Sequence, residues 1–421
     1  MRPIPLRLLP DSAETIDDVL YVGGCSTLEL AAEFGTPVFV YDEEHLRTRC
    51  REAVAAFGPG VAYATKAFLC AAMARLAYEE GMHLDVATGG ELYVALQAGV
   101  PADHLVLHGN NKSTTELQMA IEAGVGRIVV DSFDELDRLD ELSVQAGASP
   151  KVLLRLTPGI KAETHDYIST GQDDSKFGFT VSNGTAAKAL DRARGSTSVE
   201  LVGVHAHIGS QVFAPGSLGR AAGVLAAIAH EAEVEELSVG GGLGVAYTDD
   251  ERTPTITEWA QVVHEACRDA GVTARITAEP GRSIVASAAV TLYTVGTIKR
   301  LPGIRTYVSV DGGMSDNPRP VLYGSGYETF LPRAVTADRP LEVTVVGKHC
   351  ESGDLLVRDG HLPDDLVVGD VLATPVTGAY GHSMGSNYNK VLRPPVVFVA
   401  DGDAREVVRR ETYEDLTRLD L

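Results

Sequence analysis

From position 61 onward, short apolar runs alternate with amphipathic segments. The runs fall at 61–65, 83–87, 105–108, 128–131, 152–156, 201–207, 236–240 and 275–279. The gaps repeat apolar residues at i, i+3 and i+4, for example over 91–98, 115–123, 133–146, 218–232 and 257–270. Helical periods between strand-like runs predict strand–helix units, and eight such units predict a parallel (β/α)8 barrel of the TIM type. A doubly wound open sheet is the competing architecture, but no GxGxxG follows the first strand. Ahead of the barrel strands, 38–41 reads as a strand and 43–57 as an amphipathic helix.

From about Val290 the period changes. Short alternating or apolar runs at 291–298, 307–310, 341–346, 355–357, 370–373 and 396–400 are punctuated by Pro302-Gly303, Asp311-Gly312-Gly313, Asp359-Gly360 and Asp401-Gly402. Turn dipeptides between short strands predict a C-terminal all-β domain, sandwich or barrel. The expected division is 37–287 for the barrel, with 1–36 and 288–421 forming the β domain.

Charge narrows the partners. Thirty-six basic against 58 acidic residues leave a formal net charge of −22, which argues against nucleic acid and anionic membrane. An anionic ligand therefore needs local arginines and glycine-rich backbone. Cys25, Cys50, Cys70, Cys267 and Cys350 are odd in number and never spaced as CxxC, so neither a disulfide framework nor a metal site is expected and the protein reads as cytoplasmic. Residues 1–11 lack the apolar stretch of a signal peptide, and no run reaches the roughly 18 apolar residues of a membrane span.

The chemistry of such a barrel lies at the C-terminal ends of its strands. Those ends carry Lys66, Asp85, His108 with Asn110 and Asn111, Arg155, His207, Gly240-Gly241-Gly242 and Glu279. Each has a plainer reading: a snorkelling lysine, a helix-capping aspartate, a satisfied core histidine, a tight glycine turn, a loop carboxylate. Together they supply an amine for a Schiff base with a carbonyl cofactor, a flat imidazole, and backbone N–H groups for a phosphate. Ser210 follows His207 by three residues and adds a hydroxyl. Glu279 can pair with a pyridine nitrogen and keep it protonated, which makes the ring an electron sink.

Nine motifs stand in one order: YATKA (63–67), HGNNKS (108–113), HDYISTG (165–171), SKFG (175–178), HAHIGSQ (205–211), GGGLG (240–244), EPGR (279–282), CESGD (350–354) and GAYGHSMGSNYN (378–389). In this register the chain resembles the diaminopimelate decarboxylases, pyridoxal-phosphate enzymes with an alanine-racemase-like barrel and a β domain. The resemblance runs from about residue 20 to the C-terminus. It implies that Lys66 holds pyridoxal 5'-phosphate, with Asp85 among the cofactor contacts. His207 would stack on the ring and Glu279 would pair with its nitrogen. Ser210, Gly240, Gly241 and Gly242 would hold the phosphate, and Gly281 and Arg282 would be further cofactor contacts. Tyr380 would reach both cofactor and substrate, while Arg282, Arg319 and Tyr323 would grip a distal carboxylate. Glu351 would read a distal ammonium, and Cys350 would protonate the carbanion.

The implied substrate is meso-2,6-diaminopimelate, and the implied assembly is a homodimer with shared active sites. His382, Gly385 and Thr88 depart from the residues usual in the family. Ornithine, arginine or a carboxylated polyamine is the alternative substrate class, a racemase would need another base, and a non-catalytic homologue would be expected to lack Lys66 or Cys350.

Overall fold

The computed structural model describes residues 3–159, 172–207, 209–213 and 215–421, so the HDYISTG motif at 165–171 and Ile208 lie outside the described residues. The chain divides into two compact units. One comprises 49–244 and 253–283; the other comprises 1–48, 245–252 and 284–421.

The first unit is the parallel barrel. Its strands are Ala62–Ala64, His83–Val86, Leu105–Leu107, Arg127–Val130, Lys151–Thr157, Glu200–His205, Glu236–Ser238 and Arg275–Thr277. Neighbours pair in parallel throughout this order. The Ala62 and Ala64 N–H groups donate to the Ala278 and Pro280 carbonyls at 2.9 and 3.1 Å, joining the last strand to the first and removing the open edges. The intervening helices start where short hydroxyl side chains satisfy their first N–H groups. Ser113 with Glu116 and Thr255 with Glu258 form complete capping boxes. Thr88 accepts from Glu91 N–H at 3.2 Å, so the threonine keeps the capping hydroxyl.

The N-terminal ends of the strands hold structural charge. Glu236 accepts from Arg127 Nε at 3.1 Å and also from Arg275, tying together the starts of three strands. These ion pairs lie at the barrel end opposite the strand ends that carry Asp85, His108 and Glu279.

The second unit is a mixed sheet accompanied by a three-stranded antiparallel sheet near the N-terminus. The mixed sheet runs Leu355–Leu362, Leu341–Val346, Arg305–Val310, Ala289–Leu301, Val38–Asp42, Val396–Ala400 and Asp403–Val408, with Val371–Pro375 also paired to Ala289–Leu301. Two of its pairings are parallel. Val38–Asp42 belongs here, not to the 37–287 segment expected for the barrel, because it is hydrogen-bonded between Ala289–Leu301 and Val396–Ala400. All five of its residues are buried, so both faces are covered and the local sequence is equally compatible with either sheet. Val245–Arg252 also groups with this unit, and Arg7 pairs with Asp249 there at 2.8 Å. Among the described residues no helix is long and apolar enough to cross a membrane.

Candidate active site

Glu279, just beyond the eighth barrel strand, is the centre of a buried polar network. Its Oε2 pairs with His205 Nε2 at 2.9 Å, and its Oε1 accepts from Ser238 Oγ at 2.8 Å. His108 Nε2 stands 3.4 Å from Glu279 Oε1 and 3.7 Å from Asp85 Oδ1. Burial alone would push the Glu279 carboxyl up, but the His205 and His108 imidazoles outweigh it and hold it well below the usual carboxylate range. Burial pushes His205 down to about 4. It also acts to lower His108, yet the Asp85 and Glu279 carboxylates prevail and raise it. Asp85 is pushed up to about 6 by burial, against the opposing pull of His108 and Lys66. The result is an ionised, buried carboxylate held by the imidazoles of His205 and His108.

Lys66 lies in a short 3-10 turn that ends the first strand. Its own residue is exposed while Thr65 and Ala67 are buried. Thr65 Oγ1 pins this turn by donating to the Asp85 carbonyl at 2.8 Å. The Lys66 cation acts on both Asp85 and His207, so its amine belongs to the same cluster. His207 Nδ1 accepts from the Gly241 N–H at 3.1 Å, which leaves any ring proton on Nε2. Burial, then the Lys66 and Arg155 charges, lower its pKa well below the ordinary value. Arg155 itself lies over the Phe177 ring at 4.1 Å.

The glycine turn beside these groups is steric necessity. A Cβ on Gly241 would stand 2.4 Å from the Glu279 carbonyl oxygen, and one on Gly240 would stand 2.3 Å from the Ala206 carbonyl oxygen. Ser210 accepts from Arg282 Nη2 at 2.9 Å. Gly281 packs against the first strand, where its Cβ would meet the Ala64 carbonyl at 2.9 Å, so it serves barrel closure as well. Amine, neutral flat imidazole, ionised carboxylate, glycine turn, hydroxyl and guanidinium are the groups a phosphorylated pyridine aldehyde requires. The residues of this unit fit that cofactor.

The other unit carries the remaining expected residues. Arg319 is buried and donates from Nε to Tyr327 Oη at 3.0 Å and from Nη2 to Ser325 Oγ at 3.0 Å. Its guanidinium lies 4.7 Å from the Tyr247 ring centroid and 5.7 Å from that of Tyr323. Cys350 is exposed, whereas the other four cysteines are buried; a thiol kept only for packing would be buried too. Beside it, the exposed Glu351 accepts a hydrogen bond from Tyr388 Oη. Tyr380 adopts φ +62°, a left-handed conformation costing a side-chain-bearing residue on the order of 1–2 kcal/mol. Just before it, a Cβ on Gly378 would stand 1.9 Å from the Val285 carbonyl oxygen, and Tyr41 Oη donates to the Gly378 carbonyl at 2.7 Å. His382 takes its place by packing edge-on to Phe39, centroids 6.0 Å apart, and burial lowers its pKa to about 4.

The sequence reading did not select His205, Ser238, Tyr247 or Tyr327. His205 and Ser238 were signalled by position: each precedes a selected residue by two, the period that returns a strand to the same face. Tyr247 and Tyr327 had no local signal. Among the described residues, His108, His205 and Glu279 bring ligand-type atoms within 4.8 Å of one another. Within this trio His205 Nε2 is hydrogen-bonded to Glu279 Oε2.

Residues 43–286 match the model of the family described as pyridoxal-dependent decarboxylase, pyridoxal binding domain. The chain is 47% identical to the diaminopimelate decarboxylase of Bacillus subtilis (strain 168), covering 96% of this chain and 95% of that one. It is equally similar, at 47% with the same coverage, to that of Mycobacterium tuberculosis (strain ATCC 25618 / H37Rv). The crystal structure of diaminopimelate decarboxylase from M. jannaschii in complex with L-lysine superposes with a TM-score of 0.90 at 34% identity, covering 98% of both chains.

Proposed function

The chain belongs to the diaminopimelate decarboxylase family, and from that membership we propose that it converts meso-2,6-diaminopimelate to L-lysine and carbon dioxide, the last step of lysine biosynthesis. The observation that carries this reading to particular residues is the buried, ionised Glu279 at the strand ends that also present Lys66, His207 and the glycine turn.

When bound, pyridoxal 5'-phosphate supplies an electron-withdrawing ring that takes up the electron pair left as carbon dioxide departs. Lys66 provides the amine that would hold it covalently. Neutral His207 offers a flat ring for stacking, and the Gly240–Gly242 turn, Gly281, Ser210 and Arg282 would surround the phosphate. Glu279 would hold a proton on the ring nitrogen, with Asp85 and His108 completing its charge balance. Tyr380, Arg282, Arg319 and Tyr323 would orient the substrate, and Glu351 would accept from its distal ammonium. The exposed Cys350 Sγ would deliver the proton to the carbon that lost its carboxylate. Distal recognition is stringent because a buried arginine left without its carboxylate is costly.

Carbon dioxide release measured over a panel of amino acids tests this. Diaminopimelate should be the preferred substrate, and Arg319→Ala should lower kcat/KM for it by about 2–4 kcal/mol of transition-state binding. A wild-type preference for lysine or ornithine would overturn the substrate.

We place the protein in the cytoplasm as a homodimer with shared active sites. Lys66 and the Cys350–Glu351 pair belong to different units of the chain, and a two-fold dimer generates two equivalent composite sites from complementary units. Mixing Lys66→Ala and Cys350→Ala proteins under subunit exchange should restore about a quarter of wild-type activity when exchange is statistical. Verified exchange without recovery would exclude sharing.

A further inference from the structure

Cys350 and Glu351 are consecutive and exposed, on a turn that offers them little packing. Exposed side chains hold one geometry only when neighbouring groups restrain them. Among the described residues, two restraints on them come from another consecutive pair. The Cys350 N–H donates to Asn389 Oδ1 at 3.1 Å, and Tyr388 Oη donates to Glu351 Oε1.

The turn that carries this second pair is itself fixed. Asn389 and Lys390 take φ +51° and +55°, a left-handed conformation that asparagine tolerates better than most residues. Lys390 N–H closes the turn onto the Asn387 carbonyl at 2.8 Å. Asn387 Nδ2 donates to the Val391 carbonyl at 3.1 Å and also to Glu411. The Tyr388 ring lies against His349, centroids 5.6 Å apart and planes inclined by 33°. His349 is buried and anchored in turn: its N–H donates to Asp354 Oδ2 at 2.9 Å, and its Nε2 pairs with Ser315 Oγ at 2.9 Å.

We propose that Tyr388 and Asn389 are the positioning residues of the reaction: Tyr388 aims the Glu351 carboxylate at the substrate's distal ammonium, and Asn389 sets the backbone from which the Cys350 thiol projects. The tyrosine occupies Glu351 Oε1 and leaves Oε2 for the ammonium. The asparagine side chain supplies the acceptor without which the Cys350 peptide can rotate and carry Sγ off line. This rests on the roles given above to Glu351 and Cys350.

Steady-state kinetics of the holoenzyme on meso-diaminopimelate separates the two functions. Tyr388→Phe keeps the ring and removes only the hydroxyl; KM should rise about tenfold with kcat within twofold. Asn389→Gly keeps the left-handed backbone and removes the acceptor; kcat should fall about tenfold with KM within twofold. Glu351→Gln should raise KM at least as far as Tyr388→Phe, and the double variant should add little to it. If Glu351→Gln raises KM and Tyr388→Phe does not, the positioning role falls while the function stands. If Glu351→Gln leaves KM unchanged, the assignment of Glu351 falls and the purpose of Tyr388 with it. Equal shifts of kcat and KM in both variants, with lowered melting temperatures, would make the turn merely structural and overturn the proposal.

Discussion

Lys66→Ala is expected to lose about 10³-fold or more of the decarboxylase activity and, with it, the borohydride-reducible link between protein and cofactor. The link is the sharper readout, because it reports which lysine carries the cofactor independently of turnover. Lys112 is the instructive competitor, being a buried lysine in another of the family motifs. Its Nζ donates to the Gly109 carbonyl at 2.7 Å, the Val129 carbonyl at 2.6 Å and Glu135 Oε1 at 2.7 Å. An ammonium has three donors, and all three are engaged in holding that loop. Lys66 instead presents an exposed side chain from a turn whose neighbours are buried. Reduction followed by peptide mass mapping should place the label on Lys66 in the wild type and on no lysine in Lys66→Ala. Label on Lys112, or persistence in the variant, would overturn the assignment.

Glu279→Gln should lower kcat by roughly 10²–10⁴-fold while cofactor binding, followed by its absorbance, is retained. The substitution preserves shape, so Ser238 Oγ can still donate to the side-chain oxygen. It removes the negative charge against which His108 and His205 are balanced. A glutamine cannot stabilise a protonated ring nitrogen as a carboxylate does, so the electron sink weakens without loss of the cofactor. The pKa of His108, raised by Asp85 and Glu279 together against its burial, should fall in this variant, and NMR titration of the ring checks it. A kcat within tenfold of wild type would remove Glu279 from the reacting centre.

The barrel strands and the polar residues that end them were legible because both are encoded locally. A strand buried on both sides must be a short apolar run, a helix beside it must carry a 3.6-residue stripe, and the alternation of the two is visible without knowing any contact. Lys66, Asp85, His207 and Glu279 stand out because each interrupts an apolar run where a barrel places its chemistry. The glycine turn at 240–242 was legible as backbone that tolerates close approach, and the structure supplies the carbonyls that demand it.

What the sequence by itself determined, then, is the (β/α)8 barrel, the presence of a β unit after it, and the chemical inventory at the strand ends. Tertiary structure alone decided the rest, for one physical reason: pairings between residues far apart in the chain leave no mark in either segment. Val38–Asp42 reads as a strand anywhere, and only its hydrogen bonds to Ala289–Leu301 and Val396–Ala400 assign it to the mixed sheet. The charge state of Glu279 depends on His205 and His108 arriving from the ends of two other strands. Arg319 owes its orientation to Tyr327, Ser325 and Tyr247, and the hold of Tyr388 and Asn389 on Glu351 and Cys350 exists only once two distant turns meet.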